Sequence, residues 1–336
     1  MKVLITGAAG FVGSEFAKYL FQKNIDLVLI DNMEYGYKEN LVIGDNGQEL
    51  LSKLIIDDIR NPEIAKYFYG VDIVFHFAGI SSLPECESNP DKAFEVNALG
   101  VINILNSMRD SHIKKFIMAS TSALYENNHE EKMTEDLKVS PNLIYATTKL
   151  SAEQICRSYA ENYEMDIFIC RFFNVYGPHQ DFKRLQPPFT SYLIREISAE
   201  RTPIIFNTSD VKRDYIYIDD LMIYLEMIIY SKKHYCADIF NLCSSFGYSA
   251  MEIVNMIFDI FGKPVKVNTG NPIDFWNKYP GLFSAKYNLL RTRIEKEVYK
   301  NCIGSNNKIE NEFNYTCQIG MKSGLKRIVD FQLKKY

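Results

Sequence analysis

Long apolar runs are missing from this 336-residue chain. The longest, such as Leu221 to Tyr230, reach about half of the ~20 residues that a membrane-spanning helix needs, so no membrane partner is expected. No charged segment followed by an apolar core opens the chain. Lys2-Val3-Leu4-Ile5-Thr6 reads at once as a strand, so a signal peptide is not expected and the cytoplasm is the expected location. A basic surplus is missing too: the net charge is −4, and the scattered Lys and Arg make no field for nucleic acid or an anionic surface. The seven cysteines (86, 156, 170, 236, 243, 302 and 317) are odd in number and hold no CxxC pair. That argues against a disulfide framework or a zinc site and for a reducing compartment. The five histidines show no ligand spacing, so no metal is expected.

What remains is an ordinary globular composition, 47% hydrophobic and 24% charged, with length for one large or two small domains. Short apolar runs at Val3–Thr6, Leu27–Asp31, Leu54–Asp57, Ile73–Phe77, Phe116–Ser120 and Ile167–Phe172 read as strands. Helical patterns near 12–23, 62–69, 91–110 and 142–163 alternate with them, the third opened by a cap and proline at Asn89-Pro90-Asp91. Continuous apolar strands alternating with helices predict a parallel sheet covered on both faces. After Asn174 the alternation breaks around Pro178, Pro187, Pro188 and Pro203. A strand at Tyr215–Ile218 and a helix at 219–231 are expected to return to the sheet, and 262–336 to hold only short elements. The predicted fold class is α/β: a doubly wound parallel (Rossmann) sheet with a smaller, discontinuous α/β substrate domain. The expected boundaries are 1–174, with 215–243 returning to it, for the cofactor domain, and 175–214 with 244–336 for the substrate domain.

Thr6-Gly7-Ala8-Ala9-Gly10-Phe11-Val12-Gly13 follows the first strand directly and opens the first helix. Gly7 suits a tight turn, Gly10 lets backbone approach a pyrophosphate, and Gly13 lets the helix pack closely on the strand. The helix N-terminus then offers N–H groups and partial positive charge to the phosphates. A glycine-rich segment alone is equally a flexible turn; the order strand, glycines, helix favours a dinucleotide. Asp31 ends the second strand eighteen residues after Gly13, where a carboxylate accepts the adenosine ribose hydroxyls and repels a 2′-phosphate. No Lys or Arg follows until Lys38, so the cofactor expected is NAD.

Tyr145 and Lys149 stand at i and i+4 in a helical pattern, hence on one face. A lysine ammonium beside a phenol favours the phenolate, which can take a proton from a substrate hydroxyl while hydride leaves the carbon. The YxxxK spacing is cheap in a chain with 22 tyrosines, and Tyr19 with Lys23 repeats it in the first helix, away from the strand ends. Ser120-Thr121-Ser122 separates the two copies: it ends a strand twenty-four residues before Tyr145, where a hydroxyl can share the reacting proton. Such a cluster also caps turns, and only its company favours the catalytic reading.

The sequence resembles the NAD-dependent epimerase/dehydratase family, extended short-chain dehydrogenases/reductases that rework nucleotide sugars. The matching stretches, in order, are TGAAGFVG (6–13), Asp57-Asp58-Ile59-Arg60, His76-Phe77-Ala78-Gly79, Asn97 with Gly100, ASTSALY (119–125), YATTK (145–149), RFFNVYGP (171–178) and RDYIYIDDL (213–221). The resemblance implies that Asp58 and Ile59 hold the adenine and that Phe77, Ala78 and Gly79 lie along the cofactor. It adds Phe11, Val12, Asn32, Ser81, Asn97, Ala119 and Phe172 to the cofactor set. Thr121 takes the place of the catalytic Ser/Thr, with Tyr145 and Lys149. Thr121, Ser122, Asn174 and Arg213 are implied to bind substrate, the last two at the sugar diphosphate. The resemblance also implies a homodimer or higher homo-oligomer built on two helices per subunit.

Two departures stand out. Glu126 follows Tyr125 where the family usually has glycine, and 271–308 replaces the common Arg-x-Gly-Asp segment, with Arg291 and Arg293 as the arginines on offer. The resemblance implies oxidation at C4 of a nucleoside-diphosphate sugar. Family 4,6-dehydratases place Asp-Glu after the catalytic threonine; here Ser122 and Ala123 stand there, and alanine carries no proton. The expected activity is therefore a nucleotide-sugar 4-epimerase. The alternative is a 4-dehydrogenase that releases the ketone, as in GDP-heptose oxidation of capsule or other polysaccharide biosynthesis. A less favoured alternative is a non-catalytic NAD-binding regulator.

Overall fold

The computed structural model describes residues 1–42, 47–180, 187–262, 266–284 and 286–335. Contacts divide the chain into two compact units, one of residues 1–124, 141–172 and 222–240, the other of 125–140, 173–221 and 241–336. The strands in chain order are β1 (Lys2–Thr6), β2 (Asp26–Asp31), β3 (Leu54–Ile56), β4 (Ile73–His76), β5 (Lys115–Thr121), β6 (Asp166–Phe172), β7 (Asn174–Tyr176), β8 (Ile204–Ile205), β9 (Lys212–Tyr217), β10 (Cys236–Leu242), β11 (Gly247–Ser249) and β12 (Asn268–Thr269).

Seven strands form the main sheet in the order β10-β6-β5-β4-β1-β2-β3, and the pairings from β3 through β6 are parallel. This is the doubly wound α/β sheet that the strand–helix alternation predicts. Val3, Leu4 and Ile5 are all fully buried, because helices cover both faces of β1. The order reverses between β1 and β4, and a sheet of this type takes its ligand in the crevice at such a reversal.

The helices of the first unit that bear on the site are α1 (Phe11–Gln22), α2 (Gly47–Ser52), α3 (Leu83–Ser88), α4 (Pro90–Phe94), α5 (Gly100–Asp110) and α6 (Ile144–Tyr163). Asn89 caps α4 by accepting the Lys92 N–H at 3.3 Å, with Pro90 at the first position. The expected 91–110 helix is not uniform: Glu95–Leu99 form a π turn between α4 and α5. Such turns insert one residue into the helical ladder and occur often at functional sites.

In the second unit β9 pairs parallel with β7 and antiparallel with β11. This corrects the expectation that a strand near 215–218 returns to the main sheet; that place is taken by β10. The reason lies in Asp214 of β9. It is fully buried, and its carboxylate accepts N–H bonds from Ser244 at 2.8 Å and Gly304 at 3.2 Å, both in this unit. Segment 125–140, expected within the cofactor domain, also packs here. The Tyr125 hydroxyl donates to Asn241 Oδ1 at 2.9 Å, and Tyr125, Met133, Phe173, Cys243 and Cys302 make a small apolar core. The C-terminal region is not limited to short elements: a helix spans Met321–Lys335. Its buried stripe of Met321, Leu325, Ile328 and Val329 is hidden in the sequence among lysines. Residue 285 of the atypical 271–308 stretch, and 181–186, 263–265 and 336 of the expected substrate domain, lie outside the described residues.

Candidate active site

The glycine turn is built by close approach. Gly7 has φ +69°, and a Cβ there would sit 2.6 Å from the Ala78 nitrogen. A Cβ on Gly13 would sit 2.1 Å from the Gly7 oxygen, so α1 packs on the turn only without a side chain. Gly10 precedes α1, whose first residues are buried Phe11 and half-buried Val12. These features leave open N–H groups at a helix start, and the cradle fits a dinucleotide pyrophosphate.

One groove brings nine of the expected cofactor residues together: Gly7, Gly10, Asp31, Asn32, Asp58, Ile59, Phe77, Ala78 and Gly79. Asp31 is 8% exposed and accepts the Ala9 N–H at 2.9 Å and the Met33 N–H at 2.8 Å. Burial pushes its carboxyl up, while those backbone donors pull it back. Asn32 donates to Asp58 Oδ2 at 2.9 Å, and Arg60 clamps the same carboxylate, holding Asp58 well below the usual range. Ser81 is exposed ahead of α3. Buried Asn97 sits in the π turn; it accepts the Ile80 N–H at 2.8 Å and donates to Thr148 Oγ1 at 3.0 Å. A more open depression around Arg60, Glu95, Leu99 and Asn103 shares only Asp58 with this groove and is lined by none of Thr121, Tyr145 and Lys149.

Thr121, Tyr145 and Lys149 lie in the same unit as the groove. Lys149 is 5% exposed and donates to the Ala119 carbonyl at 2.9 Å. A Cβ on Gly79 would lie 3.4 Å from Lys149 Nζ, so the ammonium borders this groove. Burial pulls Lys149 down from 10.5 to about 8. Tyr145, one turn earlier, is half-buried against the core of this unit. Thr121 ends β5, is 8% exposed, and accepts the Ala123 N–H at 3.1 Å at the start of a 3₁₀ turn, Ser122–Tyr125. The Phe172 ring lies 6.2 Å from that of Phe77. Tyr19 and Lys23, the repeated spacing, both bind Glu226, at 2.5 and 2.6 Å, which gives that pair a structural use.

Residues 3–243 match the pattern of the NAD dependent epimerase/dehydratase family. The chain belongs to that family. It is an NAD-dependent enzyme of the extended short-chain dehydrogenase/reductase class. Among curated relatives, a putative UDP-glucose 4-epimerase of Methanocaldococcus jannaschii is 29% identical, covering 98% of this chain and 97% of the relative. An uncharacterized UDP-glucose epimerase of Bacillus subtilis is 29% identical over 82% of this chain and 89% of its own length. Among solved structures, a UDP-glucuronic acid 4-epimerase from Bacillus cereus in complex with NAD is 25% identical with a TM-score of 0.80, covering 100% of both chains. A Thermotoga maritima UDP-glucose 4-epimerase with UDP-glucose superposes with a TM-score of 0.85 at 22% identity, covering 100% of this chain and 99% of that one.

The expected substrate residues of the family chain sit in two places. Ser122 is half-buried beside Thr121 in the first unit. Asn174 and Arg213 belong to the second, where Asn174 Nδ2 donates to the Asp214 carbonyl at 2.7 Å. The Arg213 guanidinium donates to the carbonyls of Glu297 and Lys300 and lies 3.7 Å from the Glu297 carboxylate. It thus binds the C-terminal end of a helix, Arg291–Val298, inside the atypical stretch. The two departures from the family also meet: Arg293 of that helix pairs with Glu126, whose side chain is 1% exposed. Glu34, Tyr35 and Gly36 line the same groove as the expected cofactor residues without having been expected there. Their signal was position alone, in the loop after Asp31. Among the described residues, no three His, Cys, Asp or Glu side chains gather as metal ligands, and no helix is long and apolar enough to cross a membrane.

Proposed function

We propose that this enzyme is a nucleotide-sugar 4-epimerase that oxidises the C4 hydroxyl of a nucleoside-diphosphate sugar and reduces the resulting ketone on its other face. The observation that carries the reading is the set Thr121, Tyr145 and buried Lys149, with the ammonium on the Ala119 carbonyl at the border of the cofactor groove. Gly7, Gly10, Gly13 and Asp31 hold NAD, which supplies the hydride acceptor for the sugar carbon.

Tyr145 takes the hydroxyl proton, and Thr121 shares a hydrogen bond with the same oxygen. The Lys149 ammonium favours the phenolate by charge. On the return, Tyr145 gives the proton back to the alkoxide formed at C4. No group at Ala123 can protonate a leaving hydroxyl, so the ketone is not diverted into dehydration. The curated relatives named as UDP-glucose epimerases support epimerisation over release of the ketone. Asn174 and Arg213 are assigned to the diphosphate in this reading. The enzyme works as a homodimer through α5 and α6, and a monomer by light scattering at micromolar concentration would refute that.

The test is incubation with UDP-glucose and other nucleotide sugars, followed by mass spectrometry and NMR. An unchanged mass with inverted C4 is expected. A loss of two hydrogens would mean a released ketone, and a loss of water would refute the argument from Ala123.

A further inference from the structure

Beneath the proton-transfer set lies a charged cluster that the proposed chemistry does not use. Glu153 of α6 and Arg171 of β6 form an ion pair with both side chains 3% exposed. Arg171 binds it in a fork, Nε to Oε1 at 3.0 Å and Nη2 to Oε2 at 2.8 Å, and the Ser120 hydroxyl donates to Oε1 at 2.5 Å. Ser120 and Arg171 are paired in the sheet, and Thr121 with Phe172 is the next pair along. On α6, Tyr145, Lys149 and Glu153 succeed one another at spacings of four, on one face. Thr121 therefore sits one residue from an anchor of this cluster, Lys149 one turn and Tyr145 two turns.

A buried ion pair is weak evidence for stability, because desolvation of both charges offsets their attraction and apolar replacements are often neutral or stabilising. What it supplies is direction. A forked, three-donor arrangement fixes the rotation of α6 on the ends of β5 and β6, which apolar packing leaves freer. Resting on the epimerase reading above, we propose that Glu153 and Arg171 are positioning residues that hold Tyr145 and Lys149 against Thr121.

Charge points the same way. The groups facing Lys149 are the His76 ring of β4, the Cys86 thiol of α3, and Cys156 and Glu153 of its own helix. Burial keeps His76 neutral, pulled down to about 3, and holds Cys156 protonated. Glu153 is the carboxylate among them, gripped in the fork of Arg171. It thus favours the ammonium that burial opposes.

The experiment compares wild type, Glu153→Gln, and the double variant E153L/R171M, whose apolar pair keeps the fold if the single variant does not. UDP-glucose is the probe substrate, and Tyr145→Phe the control. In E153L/R171M we expect NAD affinity and KM within ~3-fold of wild type and kcat lower by ~10- to 100-fold, the scale of a small misplacement of reacting groups. The basic edge of the kcat–pH profile moves to lower pH. On protein stripped of NAD, the pH dependence of urea unfolding reports Lys149 without any substrate, and its titration moves below about 8. A double variant with unchanged kcat and unchanged Lys149 titration overturns the proposal, as does a kcat loss accounted for by lost NAD. Loss of turnover in Tyr145→Phe but not in E153L/R171M refutes the positioning role alone. Normal turnover in Tyr145→Phe refutes the site reading and the positioning role with it.

Discussion

Lys149→Met should make the stripped protein more stable at neutral pH while abolishing turnover. Lys149 is 5% exposed and its pKa falls from 10.5 to about 8, because burial penalises the charged form. Its folded value lies below its unfolded one, the reverse of a lysine that gains a partner. The unfolded chain therefore binds more protons between about 8 and 10.5, and stability rises with pH through that window. Below pH 8 the full cost is present. The difference of about 2.5, at ~1.4 kcal/mol each, makes it ~3.4 kcal/mol at pH 7 and ~1.4 kcal/mol at pH 9.5. Methionine removes this cost but leaves the Ala119 carbonyl without its 2.9 Å donor, a loss of ~1–3 kcal/mol at any pH. The net gain at pH 7 is then ~1–2 kcal/mol. The sharper quantity is the change with pH: the variant's advantage over wild type shrinks by ~2 kcal/mol from pH 7 to 9.5. Urea unfolding of NAD-free protein at several pH values measures it. An advantage that does not change with pH would refute the account of Lys149 as a buried charge tolerated for chemistry.

Three other outcomes follow from the same geometry. Tyr145→Phe should lower turnover by at least ~10²–10⁴-fold with NAD binding intact, Thr121→Ala should lower it less, and Tyr19→Phe should be almost silent in the same steady-state assay. Asp31 should make NAD bind far more tightly than NADP, since a 2′-phosphate would face a carboxylate that is 8% exposed; equal affinities by calorimetry would sink this. Gly13→Ala forces α1 back by about 1.3 Å, the difference between 2.1 Å and an ordinary 3.4 Å contact. It should cost ~1–3 kcal/mol and weaken NAD binding, seen as a lower Tm and a lost calorimetric signal.

The amino-acid sequence by itself determined the features that are local along the chain. A strand, three glycines and a helix in succession make the cofactor turn, because each glycine is needed within eight residues of the others. A carboxylate at a strand end and a Tyr–Lys pair one helical turn apart are legible for the same reason. That a parallel sheet covered by helices forms follows from strand–helix alternation. Other features were decided only by tertiary structure. Glu153 reads as one more surface glutamate on α6 until β6 brings Arg171 to it, although an arginine in the apolar run IFICRFF was a sign that a buried partner existed. Nothing local pairs Glu126 with Arg293, 167 residues away, or sends β9 to the small sheet and β10 to the large one. Periodicity records which face of an element is buried; which distant charge meets it there depends on how the elements pack, and that is set by the whole fold.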